Sequence, residues 1–421
     1  GSSLASGSAL LKLTDSSKGT LKIGAQGILS GGNNTAILTE NGSATHIEVL
    51  GKVYNTANPT ILSNGADITI TIGNGGEVIA EGNNRTIHSN GNVTIDGGTV
   101  KNTSNSSTAE VIYMEATDKT ITVENCGEVI AEGDNSAIFS NSDVTVNGGT
   151  VKNTYESASK TVIRGPIRGN GRVIVNNDGQ VIASGNNSAI STNMANETYI
   201  IVSDSLVENT KENSSLGSAL ISADSVTIDD NAHVRLTGNT SAISSRLVTV
   251  NNATVEKLGT GVGEPVIVGA IINVVGGGKV FANGNYRTVS TAGSGGNITI
   301  SGRGSVVENI NESSTKEVIY NYSNSMEIII SDSGAVVAKG TQTAILSNGN
   351  VEVLGGRVTA TNGSAIILGK QPGYALTATA IIKDGGLVFS YQGNTTQTST
   401  TNGSGVIIRE NGEFATVENT G

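Results

Sequence analysis

Tryptophan is absent from the 421 residues, cysteine occurs once, and proline and phenylalanine occur four times each. With aromatic residues at 3%, the chain lacks the bulk that fills the core of an ordinary α/β enzyme of this length. The single cysteine, Cys126, excludes an internal disulfide and offers no metal-ligand spacing. It is expected to be a small buried hydrophobe. Charge is sparse at 14% and mostly acidic, with 25 Lys and Arg against 36 Asp and Glu, a net −11. A phosphate-backbone binder shows the opposite balance, so nucleic acid is not expected as a partner. No apolar run reaches the length of a membrane-spanning helix, so no membrane insertion is expected within this segment. The N-terminus lacks a charged and then apolar leader. Gly1-Ser2-Ser3 reads as a cloning remnant, and residues 1–10 as that remnant or an N-terminal edge.

Glycine is abundant instead, at 56 residues, and it recurs at fixed places. Gly76-Glu77-Val78-Ile79-Ala80-Glu81-Gly82 returns as Gly127-Glu128-Val129-Ile130-Ala131-Glu132-Gly133, a shift of 51. Gly98-Thr99-Val100-Lys101-Asn102-Thr103 returns at the same shift as Gly149-Thr150-Val151-Lys152-Asn153-Thr154. Each long unit holds a shorter motif twice. The apolar residue ending one of its strands can be marked sixteen times, from Ile23 to Ile408, at a mean spacing near 26. Apolar residues alternate over four or five positions and stop at Asn, Gly or Asp, as strands do. No stripe of helical period and length occurs. A period of 26 holds three short strands and three bends, and one such turn cannot bury its own interior without neighbours. The sequence therefore predicts an all-β protein, a single right-handed parallel β-helix (β-solenoid) of about 16 coils over residues 11–421. The last coil runs almost to Gly421 without an evident cap, so further chain or a partner is expected over that end.

Equivalent positions of successive coils form columns, and alternation assigns each column to the inside or the outside. An unbroken column of Ile37, Ile61, Ile87, Ile112, Ile138, Ile163, Ile190, Ile221, Ile243, Ile267, Val289, Ile319, Ile345 and Ile366 must face inward. The next column then points out and begins Leu38, Leu62, His88, Tyr113, Phe139, Arg164. Three rings in consecutive coils, ending on a cation, could stack on and hydrogen-bond an extended polymer. His88, Tyr113, Phe139 and Arg164, with Arg168 close by in the chain, are the candidate ligand-binding residues. A second strand turns Val78, Val100, Val129 and Val151 inward and Ile79, Lys101, Ile130 and Lys152 outward, a mixed surface without a site. The bends Asp96-Gly97-Gly98, Asn147-Gly148-Gly149 and Asn176-Asn177-Asp178-Gly179 suit positive φ and ladders of Asn. Calcium is the one cofactor such residues could hold. Their carboxylates are not clustered in one or two coils, so no metal or other cofactor is assigned.

In repeat length and turn composition the chain resembles the parallel β-helices of the pectate-lyase-like class. That resemblance implies a lyase with a basic residue beside a uronate, or a hydrolase with paired Asp. Arg164-Gly165-Pro166-Ile167-Arg168 is similar to the Arg/Pro-rich segment of pectate lyases but one residue short, with Arg172 nearby. Asp229-Asp230 falls in an ordinary bend, and His46, His88 and His233 lie in different coils. No catalytic residue is assigned. Ser89-Asn90-Gly91-Asn92-Val93-Thr94-Ile95-Asp96-Gly97-Gly98-Thr99-Val100 and its later copy, residues 347–358, resemble repeat-rich surface proteins of Gram-positive bacteria, some of them glycan-binding or adhesive. Relatives that bind polysaccharide carry Gly-Ile-Asp before Ser-Asn-Gly, whereas this chain has His88, Phe139 or Leu346 there. The resemblance implies a secreted or cell-surface bacterial protein, a non-catalytic adhesin whose partner is a polysaccharide or host glycan. A polysaccharide lyase or hydrolase and a ligand-free stalk are the alternatives.

Overall fold

The computed structural model describes residues 9–14, 18–40, 44–166, 171–192, 197–212, 219–292, 295–340, 343–368, 378–390, 406–408 and 416–419. All regular structure among these is β-strand. The chain forms two compact units, Gly1–Leu216 with Leu220–Asp224, and Gly217–Ala219 with Ser225–Gly421.

The same turn recurs in both units, and it is clearest where the sequence repeat is strictest. Ile87–Ser89, Asn92–Asp96 and Thr99–Asn102 are its first, second and third strands. One turn later the strands are Ile112–Met114, Thr120–Glu124 and Glu128–Ala131. Each pairs in parallel with its counterpart, putting Ile87 beside Ile112, Val93 beside Ile121 and Val100 beside Val129. Seven third-strand steps run from Ile28–Ser30 to Leu206–Asn209 in the first unit. Six run from His233–Leu236 to Leu387–Ser390 in the second. The fold is thus a right-handed parallel β-solenoid of about 13 turns.

Sixteen was an overcount, because the marks number strands whereas a turn is a step between two strands of one unit. The last mark was also misplaced. Ile408 pairs with Leu368 in a first strand, while the true partner of Ile382 is Asn419.

The columns follow the predicted alternation. All fourteen inward residues from Ile37 to Ile366 are 0% exposed. Each such side chain contributes about 1.5–3 kcal/mol by leaving water. Val78, Val100, Val129 and Val151 are equally buried. Ile79, expected outside, is only 4% exposed, because it lies in register between the longer Tyr54 and Lys101.

The bend between first and second strands depends on a local signal. In Ser89-Asn90-Gly91 the Gly91 N–H donates to Ser89 Oγ at 3.0 Å and that hydroxyl donates to Gly91 O at 2.9 Å. Where the second unit has Ser245-Arg246-Leu247 in place of Ser89-Asn90-Gly91, the Ser245 hydroxyl still donates to Leu247 O at 2.9 Å, but without Asn-Gly no bend forms, and Ile243–Asn251 is one nine-residue strand.

At the bend before the third strand, Gly97, Gly148, Asn125, Cys126, Asn177 and Asp178 all have positive φ. Asn177 Nδ2 donates to Asn147 Oδ1 at 2.5 Å, one rung of the expected ladder. Gly98 is required there, since a Cβ would come within 2.6 Å of Ile72 Cγ2. Cys126 is exposed rather than buried. It occupies the bend itself, at φ 64°.

The bend after the third strand is closed from inside. Buried Asn102 donates from Nδ2 to Gly82 O at 3.0 Å and Asn84 O at 2.8 Å. Asn153, Asn209 and Asn309 repeat that clip, each on the bend of the turn before its own.

Candidate functional site

Strand pairing assembles the predicted outward column in the first unit. Leu38, Leu62, His88, Tyr113, Phe139 and Arg164 stand in register on consecutive first strands, and Ser191 follows. Their neighbours Ile87, Ile112, Ile138 and Ile163 are buried and fix which way the column points. His88, Tyr113 and Phe139 are half-buried and Arg164 is exposed. Arg168 lies outside the described residues.

The side chains engage one another along the column. His88 meets Tyr113 edge to face, with centroids 4.9 Å apart and planes at 88°. Tyr113 stacks on Phe139 at 5.0 Å and 20°. The Arg164 guanidinium lies 5.3 Å from the Phe139 centroid. Each ring pair contributes about 0.5–1.5 kcal/mol beyond the area it buries. The contacts run along the column from turn to turn, face to face only between Tyr113 and Phe139.

Two members of the site were not found by reading single columns. Arg85 places its guanidinium 3.6 Å from the Tyr113 centroid, and its Nε donates to Glu110 Oε2 at 3.1 Å. Arg85 precedes His88 by three residues, and Glu110 precedes Tyr113 by three, so the clip joins two successive turns. The second unit holds the same device. Arg287 lies 3.8 Å over Tyr320 and donates from Nε to Glu317 Oε2 at 2.9 Å. The signal was present in the sequence as Arg85-Thr86-Ile87 with Glu110-Val111-Ile112-Tyr113, matched by Arg287-Thr288-Val289 with Glu317-Val318-Ile319-Tyr320. It shows only when two columns are compared across adjacent turns.

The electrostatics of the strip differ from end to end. Burial lowers the His88 pKa, and Arg85 lowers it further, against opposing effects of Glu115 and Glu110. The net effect favours the neutral ring. Glu110 compensates Arg85, whereas no carboxylate among the described residues lies within ion-pair distance of Arg164. Arg172, a further cation of the Arg164–Arg172 stretch, pairs with Asp143 at 3.8 Å.

The remaining histidines stay apart from this strip. His46 Nδ1 lies 2.7 Å from Thr69 Oγ1. His233 lies in the second unit with its Nε2 2.8 Å from Glu256 Oε1. Glu256 also accepts from Arg235 Nε at 2.9 Å, and its pKa is lowered, first by His233. Asp230 sits at φ 49° in the predicted bend.

A separate open groove of about 420 Å³, lined by Thr154, Glu156, Ser184, Thr210, Lys211 and Glu212, lies at the bends after the third strands. It carries no aromatic ring. Comparison with family models, curated proteins and solved structures finds no match to this chain.

Proposed function

We propose that this is a non-catalytic protein of the bacterial surface or its surroundings, acting as an adhesin that holds a glycan along one flank of its first unit. The observation that carries the reading is the register of His88, Tyr113, Phe139 and Arg164 on four consecutive turns, outward and each in contact with the next. Such a surface repeats at the strand spacing of roughly 4.8 Å. It suits an extended polymer that makes one modest contact per turn rather than a small molecule in a deep pocket. Affinity would then come from many contacts made together. The resemblance of residues 89–100 and 347–358 to the repeats of Gram-positive surface proteins is what suggests the same reading.

A polysaccharide and glycan array, run with and without calcium, tests it. Wild type should bind and release no sugar, and the folded double variant Tyr113→Ala/Phe139→Ala should lose the binding. Release of unsaturated or reducing ends would instead establish a lyase or hydrolase. Silence across the array would leave a stalk.

A further inference from the structure

The described residues contain seven Asn-Gly pairs, at Asn64, Asn74, Asn90, Asn147, Asn283, Asn348 and Asn362. Asn-Gly is the dipeptide whose main chain can attack its own side chain, since glycine leaves the following amide nitrogen unhindered. The attack needs three things: a free glycine N–H, a free asparagine carboxamide, and room to close a five-membered ring.

The fold removes these requirements from most of the pairs. Gly91 and Gly349 donate their N–H to Ser89 Oγ and Ser347 Oγ at 3.0 and 3.1 Å. Gly148 donates to Asn176 O at 3.1 Å. Gly65, Gly284 and Gly363 make no such bond among the described residues but are buried behind half-buried asparagines. A Cβ on Gly65 would lie 2.7 Å from Ile68 Cδ1, and one on Gly284 would lie 2.5 Å from Gly259 O.

Asn74-Gly75 meets all three requirements. Both residues are exposed. They are the central pair of a turn closed by Gly76 N donating to Gly73 O at 2.8 Å, with Gly75 at φ 78°. Neither the Gly75 N–H nor the Asn74 carboxamide has a hydrogen-bond partner among the described residues. Nothing lies within 4 Å of a Cβ built on Gly75. One turn on, the neighbour of Asn74 is Gly97, whose missing side chain leaves space beside the Asn74 Cα, 3.4 Å from where its Cβ would stand.

We infer that Asn74 is a site of spontaneous deamidation in the folded protein, selected over the other described Asn-Gly pairs by this turn. The Gly75 nitrogen gives up its proton to solvent base and bonds to Asn74 Cγ. The Cγ–Nδ2 bond breaks, and the amide leaves as ammonia after taking a proton. Water then adds to either carbonyl of the succinimide, and the ring opens to aspartate or isoaspartate at position 74. The product adds one negative charge on an exposed bend and leaves the inward columns untouched.

The test is peptide mapping by mass spectrometry with isoaspartate detection, on folded full-length chain held at mildly alkaline pH. The same chain unfolded in urea is the reference. In the folded protein Asn74 should react at least about fivefold faster than Asn90, Asn147 and Asn348, the factor that one net hydrogen bond on the attacking N–H is worth. In urea the four sites should converge. Equal rates in the folded state, or the same ranking with and without urea, would overturn the inference.

Discussion

At the residue scale, Tyr113 and Ile138 define the two faces of one strand type. Tyr113→Ala removes a stacked ring and a guanidinium contact on the outer face. It should cost about 1–2 kcal/mol, read as a small shift of the denaturant midpoint. Ile138→Asp puts an unpaired carboxylate where the native side chain is 0% exposed. Protection from protease should be lost around that turn. An unchanged melting curve for Ile138→Asp would contradict the inward column.

Lys257 is a third informative residue. It is 0% exposed and stands in the column where, two turns later, Asn309 clips the bend of the turn before its own. Its Nζ donates to Asn239 O at 3.0 Å and Glu264 O at 2.6 Å, and lies 3.9 Å from the Tyr286 ring centroid. Burial lowers its pKa from 10.5 to about 7, with Glu264 opposing. Between those values the unfolded chain binds a proton that the folded one does not. Stability of the second unit should therefore rise as pH goes from about 7 toward 10.5, and this contribution should be flat below that window. Denaturant melts across that range should show the rise in wild type and lose it in Lys257→Met.

At the scale of the strand and bend, the sequence made the strands legible because alternation and register carry the same information. A column of isoleucines with period 26 can only be an interior. The bends were half legible. Positive φ at Asx and Gly was foreseen, yet the buried asparagine clip was not, because Asn102 alternates with Ala80 and Ala131 in its column and so shows no ladder. Its role depends on carbonyls of the turn below, Gly82 O and Asn84 O. The Arg85–Tyr113–Glu110 clip escaped for a related reason, since it joins columns in adjacent turns. Cys126 was misjudged because composition speaks for residue type and not for a bend position. Asn102→Ala leaves one buried and one part-buried carbonyl without this donor. A loss of about 2–3 kcal/mol is expected, measurable as faster amide exchange at residues 82–84 and little change in the second unit.

At the scale of the whole molecule, each unit is a stack in which a turn touches only its neighbours, so local damage should stay local. The same principle separates the two candidate surfaces. The Arg287–Tyr320 clip of the second unit copies the chemistry of Arg85–Tyr113 without the consecutive rings, because Tyr320 is followed in its column by Leu346. It is the natural control for the proposed flank. The most direct measurement is the affinity of immobilised glycans for wild type, for Tyr113→Ala/Phe139→Ala and for Arg287→Ala/Tyr320→Ala, each first shown to be folded. The flank reading predicts at least about tenfold weaker binding for the first variant, a single strong contact's worth, and near wild-type binding for the second. Wild-type affinity in the first variant, or sugar release by any of the three, would contradict it.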